Sequence, residues 1–206
     1  QNLLNESTGA SYKKKEVIFH SRTRTEFVYF VLSGEVMLYN LTKHGNRKVI
    51  FILGKGRLLN QSIVSKKPNA LFGEAVCPVQ ALKIPEGVFL RLMEQCHELT
   101  YSILREYERN LWRMGHQLKN TTGNMQTERK IAAKLWKLGR DFGVETEEGV
   151  MVDIDLTITL MADLVGVPRE NVSRACKVLT DRGLIRYSSK RFILTDFDGL
   201  ADFYKM

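Results

Sequence analysis

Four residues in one short stretch carry chemistry suited to reading a nucleic acid: Arg169, Glu170, Ser173 and Arg174. Arginine donates two parallel hydrogen bonds to guanine, and glutamate accepts one from the amino group of cytosine. At these spacings along a helix the side chains can face the floor of one groove. Ser173 is open to three readings: a thymine contact, a phosphate contact, or packing beside the preceding helix. Lys177, Lys190 and Arg191 are suited instead to phosphates, where a cation adds affinity without sequence information. Residues 169–191 hold seven bases and two acids, whereas 141–163 hold seven acids and no base. That local excess is more telling than the formal net charge of +8, because the first 125 residues hold 18 Lys and Arg against 10 acids while the remainder is balanced at 13 against 13.

The elements needed to position these residues are visible around them. Thr157 is placed to cap a short helix running to Val165, Gly166 to turn the chain, and a second helix runs from Arg169 to about Arg182. Two short helices about a glycine turn predict a helix-turn-helix. Leu184–Tyr187 and Arg191–Thr195, joined by Ser188-Ser189-Lys190, predict a two-stranded wing. Upstream, Ile131, Leu135 and Leu138 mark one face of a helix that stops at Gly143. Val152, Ile154 and Leu156 then alternate with Asp153 and Asp155, as in a strand exposed on one side.

From Val17 to about Ile84, short apolar stretches punctuated by Gly, Asn, Ser and Pro predict antiparallel strands closing into a β-roll. Gly73-Glu74-Ala75 reads as a turn at a strand end. Glu86 to Lys119 changes to a helical period, and Leu104, Tyr107, Leu111, Met114 and Leu118 recur at alternating spacings of three and four. With Thr100 as an extra, polar, first-position residue this seam covers about two and a half heptads and suits a homodimer contact supported by other surfaces; a helix packed on its own domain is the alternative. The polar break Asn120–Asn124 is read as a hinge. The expectation is an α+β chain: residues 1–123 form an antiparallel, jelly-roll-like β-roll with a long dimerisation helix, and 124–206 form a winged helix-turn-helix.

Several classes find little support. No apolar run approaches the roughly 20 residues needed to span a bilayer, and no signal segment opens the chain, so a cytoplasmic location is expected. Cys77, Cys96 and Cys176 are scattered and odd in number, which suggests neither a disulfide framework nor a zinc site. His20, His44, His97 and His116 contain no His-x-His pair, and Gly54-Lys55-Gly56 lacks the ending of a phosphate loop. No enzyme is expected.

The run Leu164-Val165-Gly166-Val167-Pro168-Arg169-Glu170-Asn171-Val172-Ser173-Arg174, followed by Leu179 and Gly183-Leu184-Ile185, resembles the CRP/FNR superfamily of bacterial regulators. The likeness extends from Val17 to about Leu194. Glu170, Ser173 and Arg174 resemble the base-reading motif of the oxygen-responsive branch, and Arg169 resembles the cyclic-AMP branch. Pro168 stands where relatives often carry Ser or Thr as the helix cap. The resemblance implies a β-roll sensor, palindromic double-stranded DNA, an effector-controlled activator and contact with RNA polymerase.

Departures narrow the effector. Where nucleotide-binding relatives place a Gly-Glu-Leu turn and Arg-Ser-Ala, this chain has Arg57-Leu58-Leu59-Asn60-Gln61 and Lys67-Pro68-Asn69-Ala70, so cyclic AMP is not expected. No cysteine precedes Cys77, so an amino-terminal iron–sulfur cluster has no ligands. Haem would need an axial ligand such as Cys77, His97, His20 or His44, each more readily structural. No cofactor is evident, and an unknown small-molecule effector is left. Lys43, Arg47, Lys48, Lys55 and Arg57 would suit an anionic one, with a solvated face as the plainer account. The other function considered is a sensor or interaction protein that no longer binds DNA.

Overall fold

The computed structural model describes residues 6–121 and 125–205, with side chains omitted for 118–121. The chain divides into two compact units, Gln1–Gln117 and Leu118–Met206.

In the first unit, alternating apolar stretches form β1 (Thr8–Tyr12), β2 (Val17–Phe19), β3 (Phe27–Ser33), β4 (Val36–Leu41), β5 (Arg47–Leu53), β6 (Phe72–Ala75) and β7 (Val79–Pro85). All pairs are antiparallel, in two sheets ordered β1-β7-β3 and β2-β6-β4-β5. Tyr29, Val31, Leu38, Leu53, Leu59 and Ala81 are buried together in one core cluster. Gly34, at φ 80°, turns β3 into β4 so close to the Pro78 carbonyl that a Cβ would collide with it.

Two expectations change here. Gly73-Glu74-Ala75 is no turn: it lies within β6, paired to both β2 and β4. An acid suggests a loop, but Glu74 is buried because Arg47 Nη1 donates to it at 2.9 Å and the Tyr39 hydroxyl at 3.1 Å. The single predicted helix is two, α1 (Glu86–Gln95) and α2 (His97–Thr121), broken at Cys96, whose backbone is extended. A second core cluster contains Val28, Leu58, Ile63, Ile84, Phe89 and Ile103.

The second unit comprises α3 (Thr127–Phe142), β8 (Gly143–Thr146), β9 (Gly149–Val152), α4 (Ile158–Val165), α5 (Arg169–Asp181), β10 (Arg186–Ser188), β11 (Arg191–Leu194) and α6 (Phe197–Lys205). Its sheet runs β10-β11-β9-β8, so the wing hairpin continues into a second hairpin that the sequence did not announce. Val152, Ile154 and Leu156 are buried as their alternation requires. The strand nevertheless ends at Val152, because Ile154 N donates to Val152 O and Leu156 N to Ile154 O, which folds the chain into tight turns. Helix α6, also unanticipated, packs on α3 where Gly139 permits close approach of Leu194 and Phe197. Of the expected hinge, Asn120 and Thr121 belong to α2, and Thr122, Gly123 and Asn124 lie outside the described residues.

Candidate nucleic-acid interface

The turn between α4 and α5 is built from local chemistry. Thr157 Oγ1 accepts from Leu160 N at 3.0 Å, capping α4. Gly166 ends that helix in the left-handed region, φ 77° and ψ 37°, and its N–H donates to Ala162 O at 2.8 Å. Helix α5 follows Pro168, which supplies no side-chain cap.

Along α5 the inward positions Val172, Ala175, Cys176 and Leu179 are buried at helical spacing. Burial pushes the Cys176 thiol up to about 11. The opposite face exposes Arg169, Glu170, Ser173, Arg174 and Lys177. The five residues singled out on this helix therefore share one solvent-facing side, three bases with one acid and one hydroxyl. Arg174 Nη2 donates to Asn171 Oδ1 at 2.6 Å. Asn171 was not singled out from the sequence; its position three residues before Arg174 was the available signal.

The wing lies against the same helices. Tyr187 of β10 packs on Phe192 of β11, ring centroids 4.5 Å apart, and its hydroxyl oxygen accepts from the backbone N–H of Ile158 at the start of α4. Its hydroxyl pKa is raised chiefly by burial, with Arg169 acting in the opposite direction. Ser189 and Lys190 turn the hairpin with positive φ, 50° and 64°, and the Lys190 carbonyl accepts from Leu156 N at 2.8 Å. That bond ties the wing tip to the segment entering α4.

Lys190 is exposed at this tip. The Arg191 guanidinium is paired with Asp153, and that of Arg186, which sequence reasoning passed over, with Glu148. The acid-rich stretch, separate in the sequence, folds beside the wing and partly neutralises it.

On α2, Leu104, Leu111 and Met114 are exposed, at 51%, 71% and 43%. Tyr107 does not join them. It packs against the second core cluster, its hydroxyl donates to Asn60 O at 3.3 Å, and burial, with Glu106 nearby, pushes its pKa up to about 12. Tyr101 and Trp112 extend the exposed stripe instead. The Leu118 side chain lies outside the described residues.

The cations considered for an anionic effector are only partly available. Arg47 is paired with Glu74, and Arg57 Nε lies 2.9 Å from Glu106 Oε1. The Asn60 side chain is consumed by the Tyr29 N–H and the Phe27 carbonyl. Of the haem-ligand candidates, Cys77 donates to Glu35 Oε2 at 2.9 Å and His20 sits edge-on to Phe72. Among the described residues no group of three or more His, Cys, Asp or Glu could hold a metal ion, and no helix is long and apolar enough to cross a membrane.

Comparison with known proteins gives a consistent result. A cyclic nucleotide-binding domain model matches residues 10–96, and a Crp-like helix-turn-helix domain model matches residues 129–203. The chain is 24% identical over 191 residues to the CRP-like cAMP-activated global transcriptional regulator of Mycobacterium tuberculosis, covering 92% of this chain and 85% of that one. It is 23% identical over 184 residues to the global nitrogen regulator of Nostoc sp., covering 88% and 82%. Its fold is similar to that of FixK2 from Bradyrhizobium japonicum, with a TM-score of 0.82, 20% identity, and coverage of 95% of this chain and 96% of that one. It is also similar to a CooA mutant from Carboxydothermus hydrogenoformans, with a TM-score of 0.83, 18% identity, and coverage of 99% and 90%.

Proposed function

This chain belongs to the CRP/FNR family of transcription regulators, and from that premise we propose that it binds a palindromic operator as a homodimer, with α5 of each protomer in a major groove. The observation that carries this reading is the exposed face of α5: Arg169, Glu170 and Arg174 project from a helix whose other side is fixed in the core. Arg169 and Arg174 are assigned to guanines and Glu170 to a cytosine. Ser173 is a secondary contact, and Lys177 and Lys190 hold phosphates. Arg191, shared with Asp153, is a weaker phosphate contact than its position alone implies.

The homodimer forms through the stripe Tyr101, Leu104, Leu111 and Trp112 on α2, which exposes more apolar surface than a lone helix face keeps in water. Two-fold symmetry of that pair matches the symmetry of a palindrome. The first unit senses a small molecule and the DNA-bound dimer activates through RNA polymerase, both on the strength of the family, whereas cyclic AMP is set aside because Arg57-Leu58-Leu59-Asn60-Gln61 and Lys67-Pro68-Asn69-Ala70 depart from the pattern of nucleotide-binding relatives. Selection of bound duplexes from a random pool tests the assignment. Enrichment of a two-fold-symmetric motif, with half-sites about one helical turn apart, is the expected result. Salt-sensitive binding with no enriched motif would remove sequence-specific regulation and leave only non-specific attraction.

A further inference from the structure

We propose that Asn171 is a positioning residue for base readout: its amide oxygen holds the Arg174 guanidinium in one orientation before DNA arrives, and thereby sets the base that Arg174 accepts. This rests on reading α5 as the base-reading helix. Arg174 Nη2 donates to Asn171 Oδ1 at 2.6 Å, a short, charge-assisted bond between residues three apart on one helix edge. The Asn171 backbone is fixed in the helix. Asn171 N donates to Pro168 O at 3.0 Å in the first turn, and the residue is half-buried while Arg174 is exposed.

The partner that Arg174 does not take is equally informative. Glu170 lies four residues before it, at the spacing that commonly forms an ion pair. No ion pair joins Glu170 to Arg174 among the described residues. Had they paired, the acceptor meant for cytosine and the donors meant for guanine would occupy each other. With the amide as holder, one Nη2 donor is used, the other guanidinium donors stay available for a two-pronged contact, and Glu170 keeps its acceptor capacity. A side chain ordered beforehand gives up less rotamer freedom on docking and can present only one edge.

The test measures competition among operator duplexes carrying each of the four base pairs at every half-site position. Arg174→Ala first identifies the base pair whose preference it erases. Asn171→Ala should reduce discrimination at that same base pair by between about fivefold and a hundredfold, with affinity for random duplex unchanged. Asn171→Asp, which keeps the acceptor, should restore discrimination even where total affinity falls from the added negative charge. Asn171→Ala combined with Arg174→Ala should discriminate no worse than Arg174→Ala alone. Equal weakening on all sequences, or a changed preference at a different base pair, would overturn the proposal and make Asn171 a phosphate contact or a base reader in its own right. If Arg174→Ala leaves every preference intact, the base-reading assignment of Arg174 falls, and the proposal with it.

Discussion

The Arg191 guanidinium is held by the Asp153 carboxylate, so a cation that the chain order places in the wing is partly neutralised by an acid from the segment leading into α4. Both side chains keep substantial exposure, and such pairs contribute about 0–1 kcal/mol to folding. The larger consequence is for DNA, because phosphate and Asp153 compete for one guanidinium. Asp153→Asn should strengthen binding to every duplex alike and steepen the salt slope by about one unit, with base preference unchanged. Titrations at several salt concentrations measure this, and an unchanged slope would show that Arg191 does not reach the backbone.

Lys190 combines a charge with a left-handed backbone, φ 64°, and the two effects can be separated. Lys190→Ala should lower affinity for all sequences, reduce the salt slope by about one unit, and keep the backbone strain. Lys190→Gly should lose the same affinity while raising Tm, since glycine enters this region without steric cost. Thermal melts beside anisotropy titrations distinguish them. A Tm for Lys190→Gly below that of wild type would mean that the side chain, not the carbonyl bonded to Leu156, holds the tip.

The long helix makes two opposite predictions for two residues four apart. Leu111→Glu places a charge on a side chain that is 71% exposed, so the protomer should fold normally and fail to dimerise. Tyr107→Ala removes a partly buried ring packed against the second core cluster and should cost about 2–4 kcal/mol of stability without a direct effect on association. Light scattering and denaturant melts on both variants check the pair. A monomeric wild type at micromolar concentration would contradict the dimer.

Alkaline pH should destabilise the protein. Tyr29 and Tyr107 are pushed up to about 12 from an ordinary 10.0, and Cys176 to about 11 from 9.0, in each case chiefly by burial. Between those values the folded state binds more protons than the unfolded one, so stability falls as pH rises through this window, whereas below about 9 the contribution is fully present. Tm followed from neutral pH upward should decline across it. In the native protein, alkylation should reach exposed Cys96 and spare Cys176 until unfolding. Ready labelling of Cys176 in the folded state would show that α5 is not packed as described.

The parts legible in the sequence are those governed by local rules. Thr157 and Gly166 bound α4 because a cap needs a hydroxyl and a left-handed turn needs a glycine. The outward side of α5 follows from the 3.6-residue period of Val172, Ala175, Cys176 and Leu179. What escaped depends on tertiary contact. Glu74 looked like a turn residue because nothing local announces Arg47 and Tyr39, which come from β5 and β4. Tyr107 falls in the seam by its spacing, and spacing alone cannot tell that the roll covers part of its ring. The pairing of Arg191 with Asp153 joins residues that are far apart in the chain.

The central claim is that α5 reads bases through Arg174 and Glu170. Its most direct test is operator preference, measured for wild type, Arg174→Ala and Glu170→Ala against duplexes substituted at each half-site position, with random duplex as reference. Each variant should lose about 1–3 kcal/mol on the preferred operator, relax the choice at one base pair per half-site, and leave random-duplex affinity nearly intact. Loss of random-duplex affinity with operator preference unchanged would contradict the account and make these side chains contacts to the phosphate backbone.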